Sequence, residues 1–254
     1  MGSGMQFAGI DIGSRAIKLV VIDSDGQLLL KRITDTGFDP IQAVKNIMQE
    51  LRPDQSIATG YGRNLFELAF DARTVTEIKA HGRGAQHLFP KAVAVLDIGG
   101  QDSKAISLFE NGRVKKFEMN DRCAAGTGKF LEIMAKNLGF DIEIFGDEAL
   151  KAEKDVTISS MCTVFAESEV TSLIAKGQDR REIALGLHNS VVRRAVSMIN
   201  RVAPEGELVF TGGVARNSCI RSLLANKLNR IVRVPEEPQF VGALGAALLA
   251  SAEV

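Results

Sequence analysis

Two cysteines stand in similar surroundings in this sequence, and both lie where a thiolate would be stabilised. Cys123 comes just before a Gly-Thr-Gly turn at residues 126–128, and the apolar residues after that turn have helical spacing. Cys162 follows small hydroxyl residues and precedes a second helical run that reaches Ile174. The unpaired N–H groups and the positive dipole at a helix N-terminus favour the thiolate form of a nearby cysteine. The two thiols are therefore candidate metal ligands.

A second kind of chemistry is indicated by an internal repeat. Residues 9–26 align without a gap with residues 95–112, and each copy reads as a buried strand, a glycine turn, a second strand and a hairpin. The identical aligned pairs include Asp11 and Asp97, Gly13 and Gly99, Lys18 and Lys104, and Gly26 and Gly112. The repeat predicts two similar subdomains that face a shared cleft.

The glycine turns of the two copies have a composition that suits phosphate. Glycines let backbone N–H groups approach phosphate oxygens, and the neighbouring carboxylate can hold a hydrated Mg²⁺. One such turn would be ordinary hairpin chemistry. Two in register, followed by a Thr-Gly-Gly turn at residues 211–213, predict a nucleotide cleft. The sequence contains no Walker A motif and no GxGxxG motif, which excludes a P-loop and a Rossmann fingerprint.

The composition is that of a folded globular protein. Hydrophobic residues make up 45% and charged residues 24% of the 254-residue chain. The 31 basic and 31 acidic residues cancel, which argues against nucleic acid or a membrane surface as a partner. No signal peptide is visible in the sequence, no apolar run reaches membrane-spanning length, and the three cysteines form no CxxC motif. We expect a cytoplasmic protein, in which residues 1–4 are a tag remnant ahead of a native Met5.

Strands and helices alternate along the chain, which predicts the α/β class. The periodicity of apolar residues predicts the helices, and short apolar runs bounded by turn residues predict the strands. The predicted helices are residues 41–51, 77–87, 130–138, the run after Cys162 that reaches Ile174, 187–202, 217–228 and a last helix of small residues at 242–247. Outside the repeat, strands are predicted at residues 57–59, 207–210 and 231–234.

The glycine turns and the cysteine segments together resemble a known family. The two phosphate turns, the Thr-Gly-Gly turn and the final Gly-Ala-Leu-Gly-Ala-Ala helix are similar to the acetate kinase, sugar kinase, Hsp70 and actin superfamily. Within it, residues 58–64, 120–130 and 162–169 resemble the activator ATPase (component A) of 2-hydroxyacyl-CoA dehydratases. That family also includes the ATPase subunits of benzoyl-CoA reductase. The resemblance runs from about residue 6 to residue 250.

The resemblance implies an actin-like ATPase fold, with duplicated βββαβα halves of the ribonuclease H type around the nucleotide cleft. We place the first subdomain at residues 5–95 and the second, with both thiols, at residues 96–254. It also implies a homodimer with one [4Fe–4S] cluster at the subunit interface, held by Cys123 and Cys162 of each subunit. Two thiolates per chain cannot complete a four-thiolate cluster, and a two-fold axis would supply the other two.

In the cleft we expect ATP or ADP with Mg²⁺. Asp11 and Asp97 are the candidate Mg²⁺ holders, and Gln101 or Asp102 is the candidate for orienting the attacking water. Asp97, Gln101 and Asp102 are thus the candidate catalytic residues. The candidate nucleotide-binding residues of the first turn are Asp11, Gly13, Ser14, Arg15, Ala16, Ile17 and Lys18. Those of the second turn and of the adenosine side are Gly99, Gly100, Gln101, Gly212, Gly213, Asn217 and Gln239.

Several other residues that could do chemistry have ordinary interpretations. The histidines lack ligand spacing and are predicted to occupy core or surface positions. They are His81, His87 and His188. Cys219 matches no ligand position of the family and is predicted to be structural. The pair Arg193 and Arg194 reads as the solvated face of a helix.

The resemblance implies an ATP-driven electron-transfer protein. Reduced ferredoxin or flavodoxin would donate the electron, and an iron–sulfur dehydratase, a reductase or a double-cubane cluster protein would accept it. The residues alone predict a nucleotide cleft and a thiol pair. One alternative is a small-molecule kinase of the same fold with Asp102 as the base, and another is a non-enzymatic actin-like or chaperone-like module. The chain has no insertion large enough for a sugar-binding lid, and neither alternative uses two such cysteines.

Overall fold

The structure is a computed structural model, and it describes residues 4–70, 72–159 and 162–252. In this part of the chain the strands form two five-stranded sheets. The first sheet contains β1 (Gln6–Ile12), β2 (Ala16–Asp23), β3 (Leu28–Asp35), β4 (Gln55–Thr59) and β5 (Arg73–Thr74). The second contains β6 (Ala92–Ile98), β7 (Ser103–Leu108), β8 (Val114–Asn120), β9 (Glu207–Thr211) and β10 (Val232–Arg233).

The two sheets have the same topology. In the first, the order is β3-β2-β1-β4-β5, with β1 antiparallel to β2 and parallel to β4. In the second, the order β8-β7-β6-β9-β10 repeats this pattern, with β6 antiparallel to β7 and parallel to β9. The predicted duplication and the α/β class are both confirmed.

Helices connect and cover the strands. They are α1 (Pro40–Ile47), α2 (Arg63–Phe70), α3 (Glu77–Leu88), α4 (Gly128–Leu138), α5 (Phe145–Leu150), α6 (Thr163–Ala175), α7 (Arg180–Val202), α8 (Ser218–Leu228) and α9 (Val241–Ser251). The prediction that the first helix extends to residue 51 is wrong. It ends at Ile47, and Glu50 has a left-handed backbone with φ of 69°, which no α-helix contains.

The longest helix, α7, organises the core of the second half. Asp179 caps its N-terminus by accepting hydrogen bonds from the backbone N–H groups of Arg181 and Glu182. Its buried side chains pack with α4 and with the inner face of β6, in a cluster that includes Leu187, Phe130 and Leu96. Because β6 carries the second copy of the repeat, α7 lies directly behind the elements that build the site.

The last helix, α9, joins the two halves. A Cβ atom on Gly245 would lie 1.8 Å from the Ala80 carbonyl oxygen on α3, and one on Gly9 would lie 1.9 Å from the carbonyl oxygen of Ala243. The small residues of α9 thus allow the close packing that the sequence predicts. The predicted boundary between residues 95 and 96 falls inside β6, and α9 packs against Phe7 of the first sheet. The bounds of the two subdomains therefore stay a prediction.

Candidate functional site

In the first half, the strand ends bring an aspartate, a lysine and a threonine together. Asp11 on β1 is paired with Lys18 on β2 and with Thr59 on β4. Lys18 Nζ lies 3.3 Å from Asp11 Oδ2, and Thr59 Oγ1 is buried with no hydrogen-bond partner among the described residues. Gly60 follows with φ of 96°, and a Cβ there would lie 2.5 Å from the Ile12 carbonyl oxygen. Only glycine makes this turn without strain.

The second half repeats this arrangement with more contacts. Asp97 on β6 is paired with Lys104 on β7 and with Thr211 on β9. Thr211 Oγ1 donates a hydrogen bond of 2.9 Å to Asp97 Oδ1, and His81 Nδ1 lies 3.4 Å from the same oxygen. Gly212 has φ of 86°, like its counterpart in the first half. The Thr-Gly dipeptides at residues 59–60 and 211–212 are the sequence signal for this symmetry.

Lys104 is surrounded by three carboxylates. Its Nζ lies 2.5 Å from Glu77 Oε2, 2.7 Å from Asp102 Oδ2 and 3.6 Å from Asp97 Oδ2, and its side chain is only 2% exposed. Burial by itself lowers the pKa of Lys104. The charges of Asp97, Glu77 and Asp102 outweigh it and raise that pKa above its ordinary value. Lys104 therefore stays charged and neutralises part of the acidic group.

The pKa values of two of the three carboxylates around Lys104 shift in opposite directions. Burial raises the pKa of Glu77, with the charge of Lys104 opposing it. Burial also acts to raise the pKa of Asp97, but His81, Lys104 and the Thr211 hydrogen bond together hold it below its ordinary value. Asp97 is therefore ionised at neutral pH. The charge of Asp11 helps to raise the pKa of Glu77, and the charge of Lys18 helps to lower the pKa of Asp97. Charged groups of the two halves therefore lie near one another and face one cleft.

Three of these carboxylates could hold a metal ion together. Oxygen atoms of Glu77, Asp97 and Asp102 all lie within 4.8 Å of one another. Carboxylate oxygens are the donors that Mg²⁺ prefers, usually together with water and substrate phosphates. The structure thus brings together two of the predicted catalytic residues. It adds Glu77, which the sequence analysis missed because only the packing of α3 against the second sheet brings it there. The predicted role of Asp11 towards Mg²⁺ stays a prediction.

The first glycine turn, residues 13–15, joins β1 to β2. The Gly13 N–H donates to the Ala16 carbonyl oxygen, and the Thr36 hydroxyl donates to the Gly13 carbonyl oxygen at 2.7 Å. Ser14 is half-buried and Arg15 is exposed. The Ile17 side chain lies in the core, so only its backbone could face a ligand. The phosphate contacts of this turn stay predictions.

The second glycine turn, residues 99–102, joins β6 to β7. The Gly99 N–H donates to the Asp102 carbonyl oxygen at 2.9 Å, and a Cβ on Gly99 would lie 2.7 Å from Asp102 Oδ1. Asp102 is thus held beneath the turn by its backbone and by Lys104. Gln101 is exposed at the tip. Its predicted role in orienting water, and that of Asp102, stay predictions.

On the predicted adenosine side, the third glycine turn runs into a 3₁₀ turn, Gly213–Arg216. Asn217 caps α8, since its Oδ1 accepts from the Ile220 N–H at 2.9 Å and its Nδ2 lies 3.0 Å from His188 Nε2. Gly212 N–H donates to the carbonyl oxygen of Pro238, which places the next residue, Gln239, beside this turn. Gln239 Oε1 is buried and unpartnered in the described ranges. It is an available acceptor for a ligand.

His188 lies in the core, which is one of the two kinds of position predicted for the histidines. It is fully buried on α7, and burial lowers the pKa of its imidazole to about 4, although a hydrogen bond to the Ala184 carbonyl oxygen opposes the shift. His81 differs, because it is buried against Asp97 and Thr211. A histidine without ligand spacing in sequence thus became part of the site through the packing of α3.

The thiols stand on two segments near α7. Cys162 is exposed and is the N-cap residue of α6, as predicted. Cys123 is half-buried and lies four positions before Thr127, the N-cap residue of α4, so its thiol is further from the helix start than predicted. Cys219 is buried on α8, and burial raises the pKa of its thiol to about 12, which makes it a poor ligand.

Two adjacent arginines contact the thiol segments. Arg193 is exposed, as predicted for a solvated helix face, whereas Arg194 is half-buried, and both also bind backbone oxygens, which was not predicted. On α7, Arg194 Nη1 donates to the Ala125 carbonyl oxygen and Arg193 Nη2 donates to the Ile158 carbonyl oxygen, both at 3.0 Å. One acceptor follows Cys123 and the other precedes Cys162. The contact was invisible in the sequence because the acceptors are backbone atoms far away along the chain.

The second glycine turn is bonded directly to the helix that follows the first thiol. The Gly128 N–H donates to the Gly99 carbonyl oxygen at 2.9 Å, and the Lys129 N–H donates to the Gly100 carbonyl oxygen at 2.8 Å. These are the first two N–H groups of α4, which have no acceptor inside the helix. The turn and the start of α4 therefore form one hydrogen-bonded unit.

None of the helices that the structure describes is long and apolar enough to cross a bilayer. Residues 8–250 match the BadF/BadG/BcrA/BcrD ATPase family. A relative from Acidaminococcus fermentans, the (R)-2-hydroxyglutaryl-CoA dehydratase activating ATPase, is 39% identical over 250 residues, which cover 95% of each chain.

Solved structures resemble this chain over nearly its whole length. Component A of the Acidaminococcus fermentans (R)-2-hydroxyglutaryl-CoA dehydratase superposes with a TM-score of 0.91 at 37% identity, covering 98% of this chain and 99% of that one. The activator of the 2-hydroxyisocaproyl-CoA dehydratase from Clostridium difficile, with bound ADPNP, gives 0.89 at 38% identity and covers 98% and 95%. The two sheets form the predicted actin-like ATPase fold. The chain belongs to the BadF/BadG/BcrA/BcrD ATPase family.

Proposed function

We propose that this ATPase is an activator that uses ATP to pass a low-potential electron to an iron–sulfur partner enzyme. The partner class is a 2-hydroxyacyl-CoA dehydratase or a related reductase, as the names of the relatives suggest. The observation that carries the proposal is the hydrogen bonding of the second glycine turn to the start of α4, the helix that comes next in the chain after Cys123. A nucleotide cleft and a thiol pair joined in this way are of use to a protein that couples ATP to redox chemistry.

The residues near the thiols fit a bound [4Fe–4S] cluster. Cys162 is exposed at a helix N-terminus, where an anionic group is favoured. The next residue, Thr163, has a buried hydroxyl without a hydrogen-bond partner in the described residues, whereas Thr171 on the same helix donates to the Glu167 carbonyl oxygen. When bound, the cluster would supply one-electron storage at a potential that its surroundings tune.

The thiol count supports a homodimer. One chain offers Cys123 and Cys162, whereas a cluster of this type needs four thiolates. Val164 and Phe165, which follow Thr163, expose 65% and 68% of their surface. Two large apolar side chains beside an exposed ligand favour burial against a second copy of the chain, which would bring the two missing thiolates.

In the cleft, we assign ATP or ADP with Mg²⁺. Glu77, Asp97 and Asp102 would hold the hydrated ion, and the glycine turns would hold the phosphates. Gln239, with its unpartnered buried oxygen, would accept a hydrogen bond on the adenosine side. Ferredoxin or flavodoxin remains the proposed donor and the cytoplasm the proposed location.

The test is anaerobic purification followed by iron analysis and visible spectroscopy. We expect a brown protein with about four irons per dimer. Cys123→Ser and Cys162→Ser should each abolish stable iron binding, because each removes two of four ligands through the dimer axis. Cys219→Ser is the matched control and should bind iron as the wild type does.

Two outcomes would contradict the proposal. Protein that holds no iron after anaerobic reconstitution would favour the kinase alternative, in which the cysteines have no role. Loss of iron in Cys219→Ser, with Cys123→Ser unaffected, would show that the ligands are assigned wrongly.

A further inference from the structure

One ion pair crosses from the first glycine turn to α4. Arg15 Nη1 lies 2.5 Å from Glu132 Oε2, although the two residues are 117 positions apart in the sequence. Arg15 belongs to the turn between β1 and β2, and Glu132 lies on the second turn of α4. The contact therefore connects the phosphate turn of one half to the thiol-bearing segment of the other.

Arg15 stands where the two glycine turns meet. A Cβ on Gly100 would lie 2.7 Å from Arg15 Cγ and 3.6 Å from Ser14 Oγ, so the stem of Arg15 lies against the second turn. Its hydrogen bond holds the pKa of Glu132 below the ordinary value, and the same bond raises the pKa of Arg15. Both groups are therefore charged at neutral pH.

The pair is well placed to be exchanged. The side chains of Arg15 and Glu132 are 54% and 29% exposed, and ion pairs this open to water are weak. A terminal phosphate offers a guanidinium more charge and more acceptor oxygens than one carboxylate does. Glu132 also keeps a second partner, because Lys129 Nζ lies 3.1 Å from the same oxygen. Arg15 can therefore leave Glu132 without stranding its charge.

We propose that Arg15 is the residue through which an ATP-filled cleft acts on α4. Arg15 exchanges Glu132 for the terminal phosphate of ATP, and this releases α4 from the first half. With ADP, which lacks that phosphate, Arg15 stays on Glu132. The inference rests on the proposed function for the position of the phosphates, and it adds a positioning residue to that site.

The proposal follows the rule that a ligand shifts an equilibrium only by binding one state better than another. Here the two states are Arg15 on Glu132 and Arg15 on phosphate. Removing the carboxylate charge should favour the second state, so ATP should bind more tightly and α4 should be released before any nucleotide arrives. Lys129 contacts the same carboxylate from within α4 and does not cross to the first half. It therefore provides a matched control.

The experiment compares wild type, Glu132→Gln and Lys129→Gln by hydrogen–deuterium exchange over residues 123–138. Each is measured alone, with ADP and with a non-hydrolysable ATP analogue. In the wild type, we expect the analogue but not ADP to speed exchange in this segment. In Lys129→Gln, Glu132 keeps only Arg15 as a partner, so exchange without nucleotide should stay slow and the analogue should bind no more tightly than it does to the wild type. In Glu132→Gln, exchange should already be fast without nucleotide, and the analogue should bind about two- to fivefold more tightly, as expected for the loss of a weak competing ion pair.

The inference is overturned if Glu132→Gln shows the nucleotide response and analogue affinity of the wild type. It is also overturned if Lys129→Gln behaves as Glu132→Gln does, since the effect would then come from α4 alone. Neither measurement needs a bound cluster. Failure of the electron-transfer proposal would leave these results standing, and failure here would leave iron binding and electron transfer unaffected.

Discussion

The two halves of the cleft share one framework and differ in electrostatics. Each places an aspartate opposite a lysine and beside a threonine that precedes a left-handed glycine. In the first half, Lys18 lies near Asp11 at 3.3 Å, and the Thr59 hydroxyl has no partner in the part of the chain that the structure describes. In the second, Lys104 contacts three carboxylates and the Thr211 hydroxyl is bonded.

The difference separates the features that both halves share from those that only the second half has. Strand pairing and the turn repeat in both halves. The extra charges of the second half come from Glu77 and His81 on α3 and from Asp102 in the second glycine turn. Lys18 thus has one ion pair at 3.3 Å, whereas Lys104 is held by three carboxylates.

The largest expected effect is the difference in stability lost when each of the two lysines is replaced. Lys104→Met should lower the free energy of unfolding by ~3–5 kcal/mol, because it leaves three carboxylates without their buried counter-charge. Lys18→Met should cost less than about half of that, since it removes one longer ion pair. Urea denaturation of both variants measures the two values. Equal costs would show that the halves are electrostatically alike.

The pH dependence of stability tests a second feature of the second half. His188 is fully buried there, and burial lowers the pKa of its imidazole. Its folded pKa is about 4, below the ordinary 6.5. Between these values the unfolded chain binds a proton that the folded one does not, so stability is full above pH 6.5 and is lost as the pH falls towards 4. The loss should reach roughly 3 kcal/mol.

The measurement is the free energy of unfolding between pH 7 and pH 4 for wild type and His188→Gln. Carboxylates such as Glu77 titrate in both proteins and cancel in the difference. The variant should lose correspondingly less stability over this range. Parallel pH curves would mean that the pKa of His188 is the same in the folded and the unfolded protein.

The smallest expected effect compares the two threonines. Thr211→Val removes a hydroxyl that donates to a buried carboxylate, and it should cost ~1.5–3 kcal/mol. Thr59→Val replaces an unpartnered buried hydroxyl with a methyl group of the same shape, and it should be neutral or slightly stabilising. Thermal or urea unfolding distinguishes them. Equal costs for the two variants would show that the two hydroxyl groups contribute alike to stability, in contrast to their different hydrogen bonding.

The sequence predicted the parts of the fold that local patterns determine. The repeat located both hairpins, because strand alternation and glycine turns are local signals. Apolar periodicity located most helices, including α7 and the small-residue α9. It started α7 late, since the capping Asp179 lies before the first strongly periodic residues. The eight-residue α2 and the six-residue α5 went unpredicted because they hold too few turns to show a period.

The parts of the site that depend on tertiary packing were not predictable in this way. Glu77 and His81 reach the acidic group only because α3 packs against the second sheet. The contacts of Arg193 and Arg194 with backbone oxygens of the thiol segments could not be predicted, because the acceptors lie far away along the chain. The side chain of Asn217 caps α8 and contacts His188, which the sequence did not indicate, and its role on the adenosine side stays a prediction.

The central claim is that the nucleotide cleft and the thiol segments move together. The most direct test is the rate at which a chelator removes iron from anaerobically reconstituted protein, with either ADP or a non-hydrolysable ATP analogue bound. The hydrogen bonds between the second glycine turn and α4 predict different rates, with faster loss in the analogue state. Equal rates, with both nucleotides shown to be bound, would contradict the claim.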